Sequence, residues 1–213
     1  MIEVQKLDNS LGFRVSGDLL KQVHEWEFSM DEMVFKEQLA TGSFRGRYAV
    51  DGFILQLMRQ AEEQGKIMPY YGAGGSSGAC IYKFKLNGSQ CHFQVQHSLT
   101  GETLDLEVDI KEVDALTSMI RKPEIQFSVL PFVTDEELEH PWTGERNPTL
   151  VCQIAGVEYE TLTGWKNWRD DQALTPRYIY EFGQVSMGAT GLTVKVEDTE
   201  TGERIDATDY DDW

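Results

Sequence analysis

The stretch of the chain that most resembles a catalytic or ligand-binding motif is glycine-rich, YYGAGGSSGAC, and runs from Tyr70 to Cys80. Residues 74–78 fit the G-x-S-x-G spacing of a nucleophile elbow, in which Ser76 would attack a substrate carbonyl. The glycines would also allow backbone N–H groups to approach a phosphate closely. Either chemistry requires a helix directly after the turn, because the N-terminus of that helix stabilises the oxyanion or the phosphate.

The sequence around this stretch predicts the opposite order of elements. Apolar residues recur three and four positions apart from Val50 to Ala61, which indicates a helix that ends near Gly65. A strand from Ala79 to Leu86 follows the glycines, so no helix N-terminus would support Ser76. We therefore interpret the stretch as a connector, with a mobile binding loop or lid as the alternative. In that alternative the ligand would contact Tyr70, Tyr71, Gly74, Gly75, Ser76 and Ser77.

A β-hairpin is predicted directly after the glycines. Its strands, Ala79 to Leu86 and Ser89 to Ser98, flank Asn87-Gly88, and glycine tolerates the positive φ of a two-residue turn. Placing Leu86 opposite Ser89 separates an apolar face from a polar one. The apolar face carries Cys80, Tyr82, Phe84, Cys91, Phe93 and Val95. The polar face carries Lys83, Lys85, Gln90, His92, Gln94 and Gln96.

A third strand, with one acidic face, is predicted after this hairpin. From Leu104 to Ile110, apolar residues alternate with Asp105, Glu107 and Asp109, so the three carboxylates share the solvent face. The net charge of the chain is −17, and residues 86–213, with 25 acids and 9 bases, account for −16 of it. Such a surface repels nucleic acid and attracts a basic protein, although solubility alone would also explain it.

The complete pattern predicts an α+β fold, an antiparallel β meander with N-terminal helices packed on one face. Strands are expected at Ile2 to Leu7 and Leu11 to Val15. Ser29 and Glu32 form a capping box, which predicts a helix from Met30 to Ala40. The remaining strands are predicted at Ile125 to Leu130, Thr149 to Ala155, Val157 to Thr163, Arg177 to Phe182, Leu192 to Glu197 and Glu203 to Ala207.

The length and composition are those of a chain that buries a sizeable core. The sequence has 213 residues, of which 40% are hydrophobic, enough for one large or two small domains. We expect a single domain, 1–213, and two subdomains divided between residues 123 and 149 are the alternative. Residues 1–20 lack the apolar region of a signal peptide, and no stretch reaches the ~18 apolar residues of a membrane span. We therefore place the protein in the cytoplasm.

The cysteines and histidines predict no metal or cofactor site. Cys80, Cys91 and Cys152 are odd in number and lack C-x-x-C spacing, which favours reduced thiols. Cys91 and His97 share a strand face, but six residues at ~3.3 Å each separate them by roughly 20 Å, too far for one zinc ion. We expect no metal and no cofactor.

Two further clusters are candidate contact sites. Arg45 and Arg47 flank a glycine, where two guanidinium groups would hold an anion or pair with acids of the second part of the chain. Trp165 and Trp168 lie three positions apart and would share one face of a helix, beside Arg169. Exposed tryptophans would contact a protein partner, whereas buried ones would pack in the core.

Three functions are compatible with these patterns. We favour a non-enzymatic, acidic protein-binding module of the inhibitor, immunity or assembly-factor type, which engages a basic partner surface through Asp105, Glu107 and Asp109. One alternative is a hydrolase or transferase of unrecognised type with the glycine-rich residues 70–78 as its lid. The other is a structural subunit of a larger assembly. We expect no direct binding to nucleic acid or to membranes.

Overall fold

The computed structural model describes residues 1–41, 80–98, 100–113, 149–184 and 192–210. Within these ranges the chain is mainly β-sheet, with few helices. The elements in chain order are β1 (Ile2–Leu7), β2 (Ser10–Ser16), α1 (Gly17–Thr41), β3 (Cys80–Asn87), β4 (Gln90–His97), β5 (Thr103–Glu112), β6 (Thr149–Ala155), α2 (Val157–Gly164), a 3₁₀ helix (Asp170–Gln172), β7 (Tyr178–Gln184), β8 (Leu192–Asp198) and β9 (Arg204–Asp206).

The nine described strands form one sheet in the order β6-β2-β1-β5-β4-β3-β7-β8-β9. The predicted strands were expected to run as an antiparallel meander, but β1 and β5 pair in parallel, with Ile2 opposite Ile110. The other pairings among the described strands are antiparallel. The sheet is therefore mixed. The prediction of a purely antiparallel sheet is wrong where β1 joins β5, and the meander order is also broken where β2 pairs with β6 and β3 pairs with β7.

The sheet is strongly curled. The ring of Phe13 on β2 stacks on the ring of Phe84 on β3 with centroids 4.5 Å apart, and it lies 5.3 Å from the ring of Tyr180 on β7. In a flat sheet, β2 and β3 would be separated by four strand spacings of ~4.8 Å, or roughly 19 Å. The inner face therefore closes on itself and encloses the core.

The core is lined by the inward residues of the strands. Its largest fully buried side chains are Tyr178, Tyr180, Phe13, Phe84, Phe93 and Phe182. From α1, Leu20 and Val23 are buried with them, and the Tyr82 hydroxyl donates a hydrogen bond to Glu27 over 2.8 Å. The start of α1 thus contacts the core, but a layer of N-terminal helices is not shown. The second predicted helix, at residues 50–61, lies outside the described residues.

The predicted capping box at Ser29 is wrong. Ser29 lies inside α1, which runs without interruption from Gly17 to Thr41, and its hydroxyl donates to the carbonyl of Trp26 over 2.7 Å. A serine inside a helix commonly bonds back to the preceding turn in this way. The same S-x-x-E pattern therefore occurs here without marking a helix start.

The hairpin of β3 and β4 has the predicted faces but a different register. Leu86 pairs with Cys91 and Asn87 with Gln90, so the two-residue turn is Gly88-Ser89 instead of Asn87-Gly88. Relative to the predicted pairing, one strand is displaced by two residues. Because side chains alternate with a period of two, this displacement leaves every side chain on its predicted face.

The predicted strand from Val157 to Thr163 is wrong, because these residues form α2. Val157, Thr161 and Thr163 are β-branched and favour a strand. In the fold, however, Tyr159 and Leu162 are buried three positions apart, which is a helical spacing. Tertiary burial of these two side chains therefore outweighs the local preference.

Two predicted features lie outside the described residues: the strand at residues 125–130 and the possible division between residues 123 and 149. Thr149–Ala155, in contrast, matches its prediction as β6. Within the described residues, no helix is long and apolar enough to cross a membrane.

Replacing Gly88 with alanine is expected to lower the free energy of unfolding by about 1–2 kcal/mol, because Gly88 has φ +63° and a side chain disfavours that conformation. An added Cβ would meet no atom within 4 Å, so the effect is one of backbone conformation alone. Gly164→Ala is the matched control, since its Cβ also meets nothing within 4 Å and its φ is not positive. Urea unfolding measures both. Equal effects of the two substitutions would contradict the prediction.

Cys80, Cys91 and Cys152 are buried thiols and are expected to react slowly with iodoacetamide in the native protein. Burial raises the pKa of Cys91 to about 12 and also raises the pKa of Cys152, so little reactive thiolate is present at neutral pH. Mass spectrometry should find all three labelled after denaturation. A non-reduced protein lighter by ~2 Da than the reduced one would instead show a disulfide.

Candidate functional site

The outer face of the sheet carries a continuous array of charged and polar side chains. Because alternate residues of a strand point to opposite faces, outward residues of β5, β4, β3, β7, β8 and β9 align in two cross-strand rows. The first row is Asp105, Gln94, Lys83, Glu181, Lys195 and Asp206. The second row is Glu107, His92, Lys85, Ile179, Glu197 and Arg204. Negative charge is concentrated at β5, and positive charge at β3.

Asp105, Glu107 and Asp109 form the acidic strip, the outward face of β5. All three residues are exposed, as the alternating sequence predicted. The amide of Gln94 donates to Asp105 Oδ1 over 2.7 Å, and the hydroxyl of Thr103 donates to Oδ2 over 3.0 Å. Two hydrogen bonds therefore hold the Asp105 carboxylate in a defined orientation at one end of the strip, although it remains in contact with solvent.

His92 on β4 links two carboxylates of the acidic strip. Its Nδ1 lies 2.8 Å from Glu107 Oε1, and its Nε2 lies 3.2 Å from Asp105 Oδ1. Both ring nitrogens therefore face carboxylates of the acidic strip. The ring thus aligns the two carboxylates side by side on the same surface.

The pKa of the Asp105 carboxyl is lowered, chiefly because the Gln94 amide bonds to its charged form; partial burial opposes this, and Thr103 and His92 add to it. A carboxyl whose pKa is lower in the folded state favours folding above its ordinary pKa. That contribution is lost as the pH falls through the lowered value. Asp105 therefore remains ionised throughout the neutral range.

The cations at the centre of the face surround a shallow depression. Lys83, Lys85, Lys195 and Arg204 line it, and its volume is about 210 Å³. Lys83 forms an ion pair with Glu181 at 3.7 Å and donates to Gln96 over 3.3 Å. The sequence pattern placed Lys83 and Lys85 on a wet face, but their grouping with β8 and β9 depends on the pairing of β3 with β7, which joins distant parts of the chain.

Trp168 lies in the core and not at the surface. It is 6% exposed, and its ring lies 4.9 Å from the ring of Tyr178 and 6.4 Å from the ring of Tyr159. Trp165 packs, partly buried, against the same core. The two residues follow the end of α2 and do not share a helical face. The core-packing alternative is therefore the one that the structure shows for Trp168.

A buried ion pair holds the chain that follows Trp168. Arg177 Nη2 lies 3.0 Å from Asp198 Oδ2, and Arg177 Nη1 donates to Gln172 over 2.7 Å. Burial alone would raise the pKa of Asp198, but Arg177 and the N–H of Glu200 together lower it. This cluster joins the 3₁₀ helix to the hairpin between β8 and β9, and we interpret it as structural.

The remaining candidates from the sequence are the arginine pair, the glycine-rich stretch and the strand face with Cys91 and His97. Arg45, Arg47 and the glycine-rich residues 70–77 lie outside the described residues. Among the described residues, no three histidine, cysteine or acidic side chains are close enough to hold a metal ion. His97 is buried, and its Nδ1 accepts a hydrogen bond from the N–H of Thr100 over 3.2 Å.

No protein-family model matches the chain, and neither a curated protein nor a solved structure matches it.

Replacing Gln94 with leucine is expected to raise the pKa of Asp105 toward its ordinary value, because the amide that bonds to the charged carboxylate is lost. Carbon-detected NMR titration of the aspartate carboxyls measures this shift. Gln90→Leu is the control, since Gln90 lies on the same strand face opposite Asp109. A pKa of Asp105 that is the same in both variants would contradict this assignment.

Proposed function

We propose that the protein is a non-enzymatic, acidic binding module that engages a basic surface of a partner protein through the acidic strip. The observation that carries this proposal is the placement of Asp105, Glu107 and Asp109 at alternate positions of one strand, all of them exposed on the same face. A basic surface with lysines or arginines at a similar spacing would meet three carboxylates at once.

The strip is supported by a rigid element. Because β5 pairs with β4 from Thr103 to Asp109, the backbone that carries the acids is fixed before binding. Hydrogen bonds from Gln94 and His92 also restrict two of the three side chains. Groups that are already ordered lose less conformational entropy on association, which favours a partner site over a merely solubilising surface.

The charge distribution of the chain supports the same proposal. Residues 86–213 carry a net charge of −16, and the acidic strip lies within them. Long-range attraction to a cationic partner would accelerate the encounter, and added salt would slow it by screening. Exposed side chains of Asp105 (45%) and Glu107 (63%) leave the carboxylates accessible to such a partner.

The triple substitution Asp105→Asn, Glu107→Gln and Asp109→Asn is expected to lower the association rate with the physiological partner several-fold, because it removes three charges from the contact. The control triple substitution is Glu25→Gln, Glu160→Gln and Asp171→Asn, which removes the same charge from exposed positions on other elements. Partners are captured from cells that express the protein naturally, and rates are then measured with purified partner at low and high salt.

The proposal requires that the acidic-strip variant lose capture and association rate while the control variant retains both. Equal behaviour of the two variants would contradict it, as would a partner whose contact surface is acidic or neutral. An association rate that is independent of ionic strength would also overturn it. Circular dichroism and urea unfolding show whether each variant keeps the wild-type fold.

A further inference from the structure

The depression on the outer face has a positive local charge in a strongly acidic protein. Four bases, Lys83, Lys85, Lys195 and Arg204, line it together with two acids, Glu181 and Glu197. These six side chains leave an excess of two positive charges, whereas the whole chain carries −17. Like charges that gather on one surface repel each other unless an anion lies between them. The local positive charge of the depression, in a chain whose net charge is negative, therefore favours an anionic ligand.

Two of the four cations that line the depression form ion pairs, and the other two do not. Lys83 is paired with Glu181 at 3.7 Å, and Arg204 is paired with Glu197. Among the described residues, neither Lys85 nor Lys195 forms an ion pair, although Lys195 lies opposite Asp206 on β9 and attracts it electrostatically. Two ammonium groups on the same face are thus available to an incoming anion.

The floor of the depression is partly apolar. Ile179 on β7 is half-buried between Lys85 and Glu197 in the second cross-strand row. Its side chain offers an apolar contact for a small carbon skeleton beside the lysines on β3 and β8. The volume of about 210 Å³ is below the ~300–1,000 Å³ of sites for drug-sized molecules, which restricts the ligand to a small one.

We propose that this depression binds a small organic phosphate monoester, with its phosphate held by Lys85 and Lys195 and its carbon skeleton against Ile179. A lysine ammonium group binds phosphate as a point charge, and the charge of about −2 on a phosphate monoester matches two such groups. Arg204 is already engaged by Glu197, so the available cations are the lysines. His92 and Gln94, which contact the acidic strip, also line the depression, but neither assignment requires the other.

The probe is phenyl phosphate, titrated at low salt and at about pH 8, above the second phosphate pKa of ~6. Amide chemical shifts in nitrogen-15 NMR spectra report the site. We expect saturable shifts at Lys85, Ile179 and Lys195, weaker binding of inorganic phosphate because it lacks the apolar contact, and no response to phenol at the same residues.

Two variants separate the site from general electrostatic attraction. Lys85→Gln with Lys195→Gln should weaken phenyl phosphate binding about tenfold or more, because two charge-assisted contacts are lost. The control, Lys21→Gln with Lys111→Gln, removes the same charge from exposed positions outside the depression and should bind as the wild type does. Glu181→Gln should bind more tightly, because it removes a repelling carboxylate from the lining.

A gain of affinity in Glu181→Gln cannot result from misfolding, so this variant keeps the test decisive if the double lysine variant unfolds. The proposal is overturned if phenyl phosphate causes no saturable shifts at Lys85, Ile179 and Lys195. It is also overturned if the control variant loses as much affinity as the double lysine variant, or if Glu181→Gln binds no more tightly than the wild type.

Discussion

The stacking of Phe13 on Phe84 is the contact on which the rest of the structure depends. It requires the sheet to curl until β2 faces β3, and the curl gives the sheet a closed inner face and an open outer one. Apolar side chains fill the inner face, which excludes water and supplies the main favourable free energy of folding. Polar side chains are left to the outer face, where they align across six strands. The same curl of the sheet therefore encloses the core and leaves the polar side chains on the exposed outer face.

The faces of β3, β4 and β5 were predictable from sequence, whereas the pairings that join distant segments were not. Alternation of apolar and polar residues is local, so it places Phe84 inward and Lys85 outward without knowledge of the neighbouring strand. Even the error in the hairpin register preserved the faces, because it was an even displacement. In contrast, the parallel pairing of β1 with β5 and the pairing of β3 with β7 join segments far apart in sequence, and no local pattern encodes them.

The same distinction applies to the candidate site. The acidic strip was predicted because its three acids lie on one strand, two positions apart. The cationic depression was not predicted, since its lysines come from β3 and β8 and meet only through β7. The helix α2 was not predicted for a related reason. Its β-branched residues favour a strand, and this preference can be read from the sequence. The burial of Tyr159 and Leu162, which favours the helix, depends on the surrounding core and cannot be read from the sequence.

The position of β6 in the sheet has a consequence for folding kinetics. Ser10 on β2 pairs with Ala155 on β6, so the N-terminal hairpin acquires this neighbour only when a segment very distant in sequence has docked. Pairings of such high sequence separation have a large loop-closure cost and form slowly. During that interval the free edge of β2, with its buried residues Leu11 and Phe13, is exposed to other chains. Until β6 docks, the unpaired backbone of β2 is therefore open to pairing with a strand of another chain.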